Sequence, residues 1–341
     1  MNRRAVLAGA LATGCGLALG APWVLSRRTP GITPLRGQSM GTFYTVKFPE
    51  DAGPAGPLHD EIQAVLARID ALMSTYKVDS ELSLFNAAAS VDWMTMSADT
   101  HDVVTEAVRV GDLTRGAFDI TVGPLVDLWG FGAAPRTLAI PRDEALADAA
   151  SAVDYQLLNS NGPSLRKASS AVQVELSGIA KGYAVDRVAA VLEGHGVADY
   201  LVDIGGELRT RGRKPDGRRW RVGIERPDPD SRTVFRAVEL GDRAIATSGD
   251  YRNFFVHEGR RYSHTIDPRT GRPVTHQLRS VSVIADTAMT ADGLSTAIMV
   301  LGPHEGYEFA RSHHLAASLI VHQDDGFDER WTPEFEPYRV G

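Results

Sequence analysis

Asp292 and Thr296 stand four residues apart in TAMTADGLSTAIMVLG, so on a helix their side chains share one face near its N-terminal end. A carboxylate and a hydroxyl, with a backbone carbonyl nearby, make a ligand set for a hard cation such as Mg²⁺. Ser295 lies beside them. The competing reading has Asp292 capping the helix and Thr296 bonding back to its own turn. A second cluster is ELSGIAKGYAVD, which reads as a strand end, a turn of small residues and the start of a helix. Gly178 and Ala180 leave that turn without bulk, and a helix N-terminus offers free N–H groups to an anion. Glu175 puts a carboxylate before the turn and Lys181 a cation after it, which suits a phosphate-bearing ligand; a plain connection with a surface lysine is the alternative. In RRYSHTIDPRTGRPV, His264 precedes two turn-forming dipeptides and titrates near neutrality, so it can take a proton from an attacking hydroxyl. Met40 and Tyr76 offer a thioether and a phenol that could sandwich a flat aromatic ring, or simply pack in the core.

These residues need elements to hold them. Leu58, Ile62, Leu66, Ile69 and Met73 fall on one helical stripe over residues 58–74. Asp79 and Ser80 cap a short helix, and Ser97 caps a long one ending near Gly116. Residues 116–132, rich in glycine and aromatics, read as a binding loop rather than a regular element. A helix follows from Pro141 to about Val153. Strands are expected at 41–48, 155–158, 164–167 and 172–176, then a helix at 179–193. Gly205 and Gly206 read as a tight hairpin turn. Strands at 220–224, 235–240 and 244–248 lead to a loop-rich hairpin over 250–275. A strand at 280–285, helices at 291–301 and 304–314, and strands at 316–321 and 327–331 complete the chain. Antiparallel strands interleaved with few helices indicate α+β, with largely antiparallel sheets and packed helices.

Bulk properties narrow the function. The 341 residues are 43% apolar and 23% charged, as in a soluble globular protein with a sizeable core. A net charge of −7 without a basic run argues against a nucleic-acid partner. There is no phosphate loop of the GxxxxGK[ST] type, no GxGxxG after a strand, no HExxH and no GxSxG. Arg3-Arg4 before an uncharged run to Leu25 has the plan of a twin-arginine signal peptide. The expected organisation is therefore a signal peptide over 1–29, a linker over 30–37 and one domain over 38–341. Cys15, the only cysteine, lies in a lipoprotein-like box, whereas Gly20 suits ordinary cleavage; a lipid anchor and a soluble form are both open. The mature domain has no disulfide.

Taken in order, SMGT, STYKVDSELSLFN, GAFDITVGPLVDLWGFG, ELSGIAKGYAVD, LVDIGGEL, TSGDYRNFF, SHTIDPRTGRPV and TAMTADGLSTAIMVLG resemble the ApbE family of FAD:protein FMN transferases. The resemblance implies a T-fold-related α+β architecture with the active site between lobes. It implies an exported, periplasmic enzyme that splits FAD, joins the FMN half to a threonine or serine hydroxyl of an acceptor flavoprotein and releases AMP, with Mg²⁺ required. Acceptors would be subunits of membrane electron-transport complexes. Carried over, Met40, Tyr76, Ala117, Phe118, Asp119, Glu175, Lys181 and Ile266 would bind FAD. Gly178, Asp292, Ser295 and Thr296 would hold Mg²⁺. Glu175 stands where aspartate is commoner, and Ser295 where some members carry aspartate. The hydroxyl nucleophile needs a base: His264, with Asp292 as competitor. Two rivals share the resemblance, an FAD pyrophosphatase that uses water and a non-catalytic periplasmic FAD-binding protein.

Overall fold

The computed structural model describes residues 31–340 except 134–139, 229–232 and 325; the expected signal peptide lies outside them. Strands β1 (Ile32–Ser39) and β2 (Thr42–Pro49) form a hairpin whose turn residues, Met40 and Gly41, both take positive φ. Residues 32–37, expected as linker, are thus strand. Pro34 is tolerated because β1 is the sheet edge, where a missing N–H costs no ladder bond on its open side.

Helix α1 (Ala55–Met73) buries the stripe from Leu58 to Met73. The Ser80 side chain accepts from the Ser83 N–H to cap α2 (Glu81–Ala87). After β3 (Met94–Thr95), Ser97 accepts from the Thr100 N–H to cap α3 (Ala98–Thr114). Inside the expected binding loop lies a short helix, α4 (Gly123–Leu128), with a proline in its first turn, where no N–H bond is lost. α5 (Asp143–Ala150) follows. The expected strand at 155–158 is instead a 3₁₀ turn, Tyr155–Leu157, capped by Asp154, and β4 (Leu158–Asn161) starts only there; β5 (Ser164–Lys167) pairs with it. Residues 172–176, expected as a strand, form no regular element. Asn86 bonds both the N–H and the carbonyl of Val174, and the Glu175 N–H donates to the Ile120 carbonyl, so the segment's backbone partners are a side chain and a loop.

Then come α6 (Ala180–Gly194), β6 (Tyr200–Ile204), β7 (Glu207–Arg211), β8 (Arg221–Glu225), β9 (Val234–Glu239) and β10 (Ala244–Gly249). Two small ribbons follow, β11 (Phe254–His257) with β12 (Arg260–Ser263), and β13 (Ile266–Asp267) with β14 (Arg272–Pro273). The chain closes with β15 (Leu278–Ala285), α7 (Ala288–Ser312), β16 (Ala316–Gln323) and β17 (Gly326–Trp331). Gly302, at φ 82° and followed by Pro303, breaks α7 where two helices were expected.

The centre is an eight-stranded antiparallel sheet in the order β1-β2-β6-β7-β10-β15-β16-β17. One face carries α6 and α7, with α1 and α3 behind, over the main apolar core; the other carries the β8–β9 ribbon, Trp220 and Phe335. A satellite core of Leu125, Trp129, Phe131, Phe255 and Ile266 joins α4 and α5 to the β11–β12 ribbon. The β1–β2 turn, the Gly205–Gly206 turn and the C-terminal end of β10 meet at one edge of the sheet, since Gly205 N–H donates to the Phe43 carbonyl and β7 pairs with β10 near Ile245. Between that edge and the satellite core a cleft opens.

Candidate active site

The cleft encloses about 910 Å³, and a side chamber of about 300 Å³ adjoins it at Tyr76, Glu175 and Ser177. Its first wall is where α6 and α7 cross. A Cβ on Gly182 would come 2.3 Å from the Ala288 carbonyl oxygen, so the helices touch through backbone there. Asp186 reaches from α6 to the start of α7, accepting from the Ala288 and Met289 N–H groups at 3.0 and 2.9 Å. Thr287, not Asp292, supplies the N-cap of α7. Asp292 is therefore free to face α6, and its Oδ2 accepts from the Gly182 N–H at 3.0 Å. Thr296, one turn on, donates to the Gly178 carbonyl at 3.4 Å. Gly178 must be small: a Cβ would meet Thr296 and the Phe118 ring at 3.3 Å.

Asp292 is 3% exposed, and burial pushes its carboxyl up despite the pull of Lys181 and the Gly182 N–H. Lys181 Nζ lies 2.6 Å from Glu207 Oε1. Burial opposes the lysine's charge, but Glu207 and Asp292 outweigh it and hold the ammonium above its ordinary range. Burial also pushes Glu207 up further than Lys181 draws it back, and among the described residues its Oε2 has no partner.

Ser295, the third expected side-chain ligand of a cation, is placed differently from Asp292 and Thr296. It is fully buried, donates to the Asp292 carbonyl at 3.0 Å, and lies 2.8 Å from Ser248 Oγ on β10. At 100° per residue it sits on the other side of Asp292 from Thr296, turned to the sheet rather than the cleft. Ser248, also 3.2 Å from Thr296 Oγ1, does line the cleft.

Met40 and Tyr76 both line the cleft, Tyr76 with 70% of its surface exposed. Ala117, Phe118 and Asp119 form part of its wall, but the Asp119 carboxylate is taken up by the loop. Its Oδ1 accepts from the Thr121 N–H and hydroxyl at 2.7 and 2.6 Å, and Oδ2 from the Tyr155 N–H at 3.0 Å. It braces residues 117–121 while still lining the cleft. Glu175 stands at the mouth of the side chamber, accepting from the Ser177 N–H and hydroxyl; burial pushes its carboxyl up.

His264 and Ile266 come from the two ribbons. His264 Nδ1 lies 3.0 Å from the Asn253 carbonyl, which can only accept, so Nδ1 carries the proton and Nε2 the lone pair. Burial pushes the imidazole down, and Lys181 and Arg261 further disfavour the cation. The Phe131 ring packs edge-on against it, with centroids 6.3 Å apart. The arrangement thus places a neutral nitrogen base, an ammonium and an oxygen ligand set around one cleft. Among the described residues no group of three or more His, Cys, Asp or Glu could hold a metal; the available set is one carboxylate, one hydroxyl and one carbonyl.

Glu207, Ser248 and Asp186 had no assigned role in the sequence. Their segments, LVDIGGEL, TSGDYRNFF and ELSGIAKGYAVD, stood out as blocks, but only the fold shows which side chains turn inward.

A family model described as "ApbE family" matches residues 40–319. The chain is similar to an FAD:protein FMN transferase of Vibrio cholerae, 45% identical over 306 residues that cover 89% of this chain and 92% of that one. Among solved structures it is similar to the flavin transferase ApbE from Vibrio cholerae, with TM-score 0.84 and 43% identity over 91% of this chain and 99% of that one. The apo form of Pseudomonas stutzeri flavinyl transferase ApbE gives TM-score 0.84 and 41% identity over 90% and 96%.

Proposed function

The chain belongs to the ApbE family, and from that membership we propose that it is an FAD:protein FMN transferase that moves the FMN half of FAD onto a threonine or serine hydroxyl. AMP is the other product, and the acceptor is a flavoprotein subunit of a membrane electron-transport complex. The observation that carries this reading is the meeting of Gly178, Asp292 and Thr296 on the wall of a cleft that His264 and Lys181 also line.

The donor set suits Mg²⁺. Among the described residues only Oδ2 of Asp292 has a hydrogen bond, the burial cost of its charge is only partly met, and the Gly178 carbonyl and Thr296 hydroxyl are hard oxygens on the same wall. Gly178, Asp292 and Thr296 would hold the ion; Ser295 would not. When bound, Mg²⁺ supplies charge neutralisation at the diphosphate. Lys181, kept cationic by its carboxylate neighbours, adds positive charge on the same wall. His264 Nε2 accepts the proton of the acceptor hydroxyl. That oxygen forms a bond to the FMN phosphorus while the diphosphate P–O bond breaks, and AMP leaves with the electron pair. Met40 and Tyr76 flank the flavin ring, and Glu175 faces the adenosine half. The plan of residues 1–29 supports export to the periplasm, with Cys15 as the point of attachment if the chain is anchored to the inner membrane.

The test is to mix the protein with FAD, Mg²⁺ and a candidate acceptor. Covalent flavin fluorescence on the acceptor with stoichiometric AMP is expected. Free FMN alone would make the protein a pyrophosphatase, and neither product would make it a binding protein.

A further inference from the structure

His264 is carried by a two-stranded ribbon that packs on the satellite core and joins no strand of the central sheet. Among the described residues β11 and β12 pair only with each other, and outside the satellite core the segment leading into the ribbon is held by the exposed Arg252–Glu225 pair and by a buried acid, Asp250, just past the end of β10, which reaches the central sheet. Asp250 is 2% exposed. Its Oδ2 accepts from Arg279 Nη1 of β15 at 2.9 Å and from Arg261 Nη1 of β12 at 3.3 Å. Arg261 Nη2 also donates to the Asp250 backbone carbonyl, and the Asp250 N–H donates to the Arg279 carbonyl at 3.3 Å. The Arg261 guanidinium lies over the Phe254 ring, 4.3 Å from its centroid, so the same arginine also grips β11. At the foot of this ribbon Asn253 and His264 face each other: the Asn253 carbonyl accepts from both the His264 N–H and Nδ1–H, each at 3.0 Å. The position and tautomer of the imidazole therefore depend on where the ribbon is held, and Asp250, three residues before Asn253, holds it.

We propose that Asp250 is a positioning residue for the transfer step, bridging Arg279 of the sheet and Arg261 of the ribbon so that Nε2 of His264 is presented to the cleft. This rests on the assignment of His264 as the base. Asp250 itself touches no reacting atom. A carboxylate between two guanidiniums keeps one ionic partner on each side, so Asn in its place keeps the shape and loses the grip.

The test is a double-mutant cycle in the full chain, with FAD, Mg²⁺ and acceptor. Asp250→Asn is expected to lower kcat about 10- to 100-fold while KM for FAD stays within about twofold. The double variant Asp250→Asn/His264→Ala should be no slower than His264→Ala alone, because a positioning residue has nothing left to position. If Asp250→Asn does not fold, Arg261→Gln, which releases only the ribbon side, is expected to give the same pattern. Wild-type kcat in the folded variant, or losses that multiply in the double variant, would overturn the proposal. If His264→Ala is slow and Asp250→Asn is not, only the positioning role fails; if His264→Ala turns over normally, the base assignment fails and this role with it.

Discussion

The two walls of the cleft are built differently. The α6–α7 wall, which carries Gly178, Lys181, Asp292 and Thr296, grows out of the main core. Its helices touch through backbone at Gly182, Asp186 of one caps the other, and a carboxylate–amide bond crosses between them. The ribbon wall, which carries His264, is two four-residue strands paired with each other, packed on a satellite core and tied to the sheet through Asp250. A cation and a diphosphate need ligands whose separation does not drift, and close-packed helices provide that. A base that must meet the hydroxyl of a large incoming protein can sit on a more separable element. In the proposed reaction, charge handling falls to the α6–α7 wall and proton handling to the ribbon.

That contrast can be broken at either wall. The largest effect is expected for Asp292→Ala, which removes the only carboxylate of the cation set; steady-state transfer should fall about 10²–10⁴-fold. His264→Ala should slow transfer by about 10²-fold and leave FAD affinity, read by flavin fluorescence, unchanged. Because burial holds the imidazole below its ordinary value, it stays neutral at pH 7 and loses its base form only as pH falls through that lowered value. The wild-type rate should therefore show an acid limb below about pH 6.5, and His264→Ala should lack it. Gly182→Ala forces a Cβ against the Ala288 carbonyl and should cost about 1–3 kcal/mol in a denaturation experiment. On the ribbon the exposed Val256→Thr should stay within about 0.5 kcal/mol. Equal losses at those two positions would erase the distinction between the walls. The smallest functional effect is expected for Tyr76→Ala: loss of one stacking surface worth about 0.5–1.5 kcal/mol, seen as a several-fold higher KM for FAD.

Much of the main core and its turns was readable because its signals are local. The stripe of α1, the serine caps of α2 and α3, the Gly205–Gly206 turn and the four-residue spacing of Asp292 and Thr296 each depend on a few neighbouring residues. What was misread depends on partners far away in the chain. Residues 32–37 look like a linker because they hold a proline and a glycine, yet β2 supplies the pairing that makes them a strand. Residues 172–176 have a strand's composition but find their partners in Asn86 and Ile120. Ser295 was placed with the cation by the resemblance, at a position where some members carry aspartate, and in the fold it lies 2.8 Å from Ser248. Asp119 lines the cleft as expected, but its bonds to Thr121 and Tyr155, which brace the loop, were not foreseen. Asp250 stood in the TSGDYRNFF block without a role of its own, since its two arginines lie 11 and 29 residues away and meet it only in the folded chain.

The most direct test of the rigid wall is a Mg²⁺ titration of the transfer rate at saturating FAD, run on the wild type, Asp292→Asn and Ser295→Ala. Saturable activation is expected in the wild type and in Ser295→Ala, with Asp292→Asn flat and near zero at every concentration. An Asp292→Asn curve that overlays the wild type would place the cation elsewhere and contradict the division of labour between the two walls.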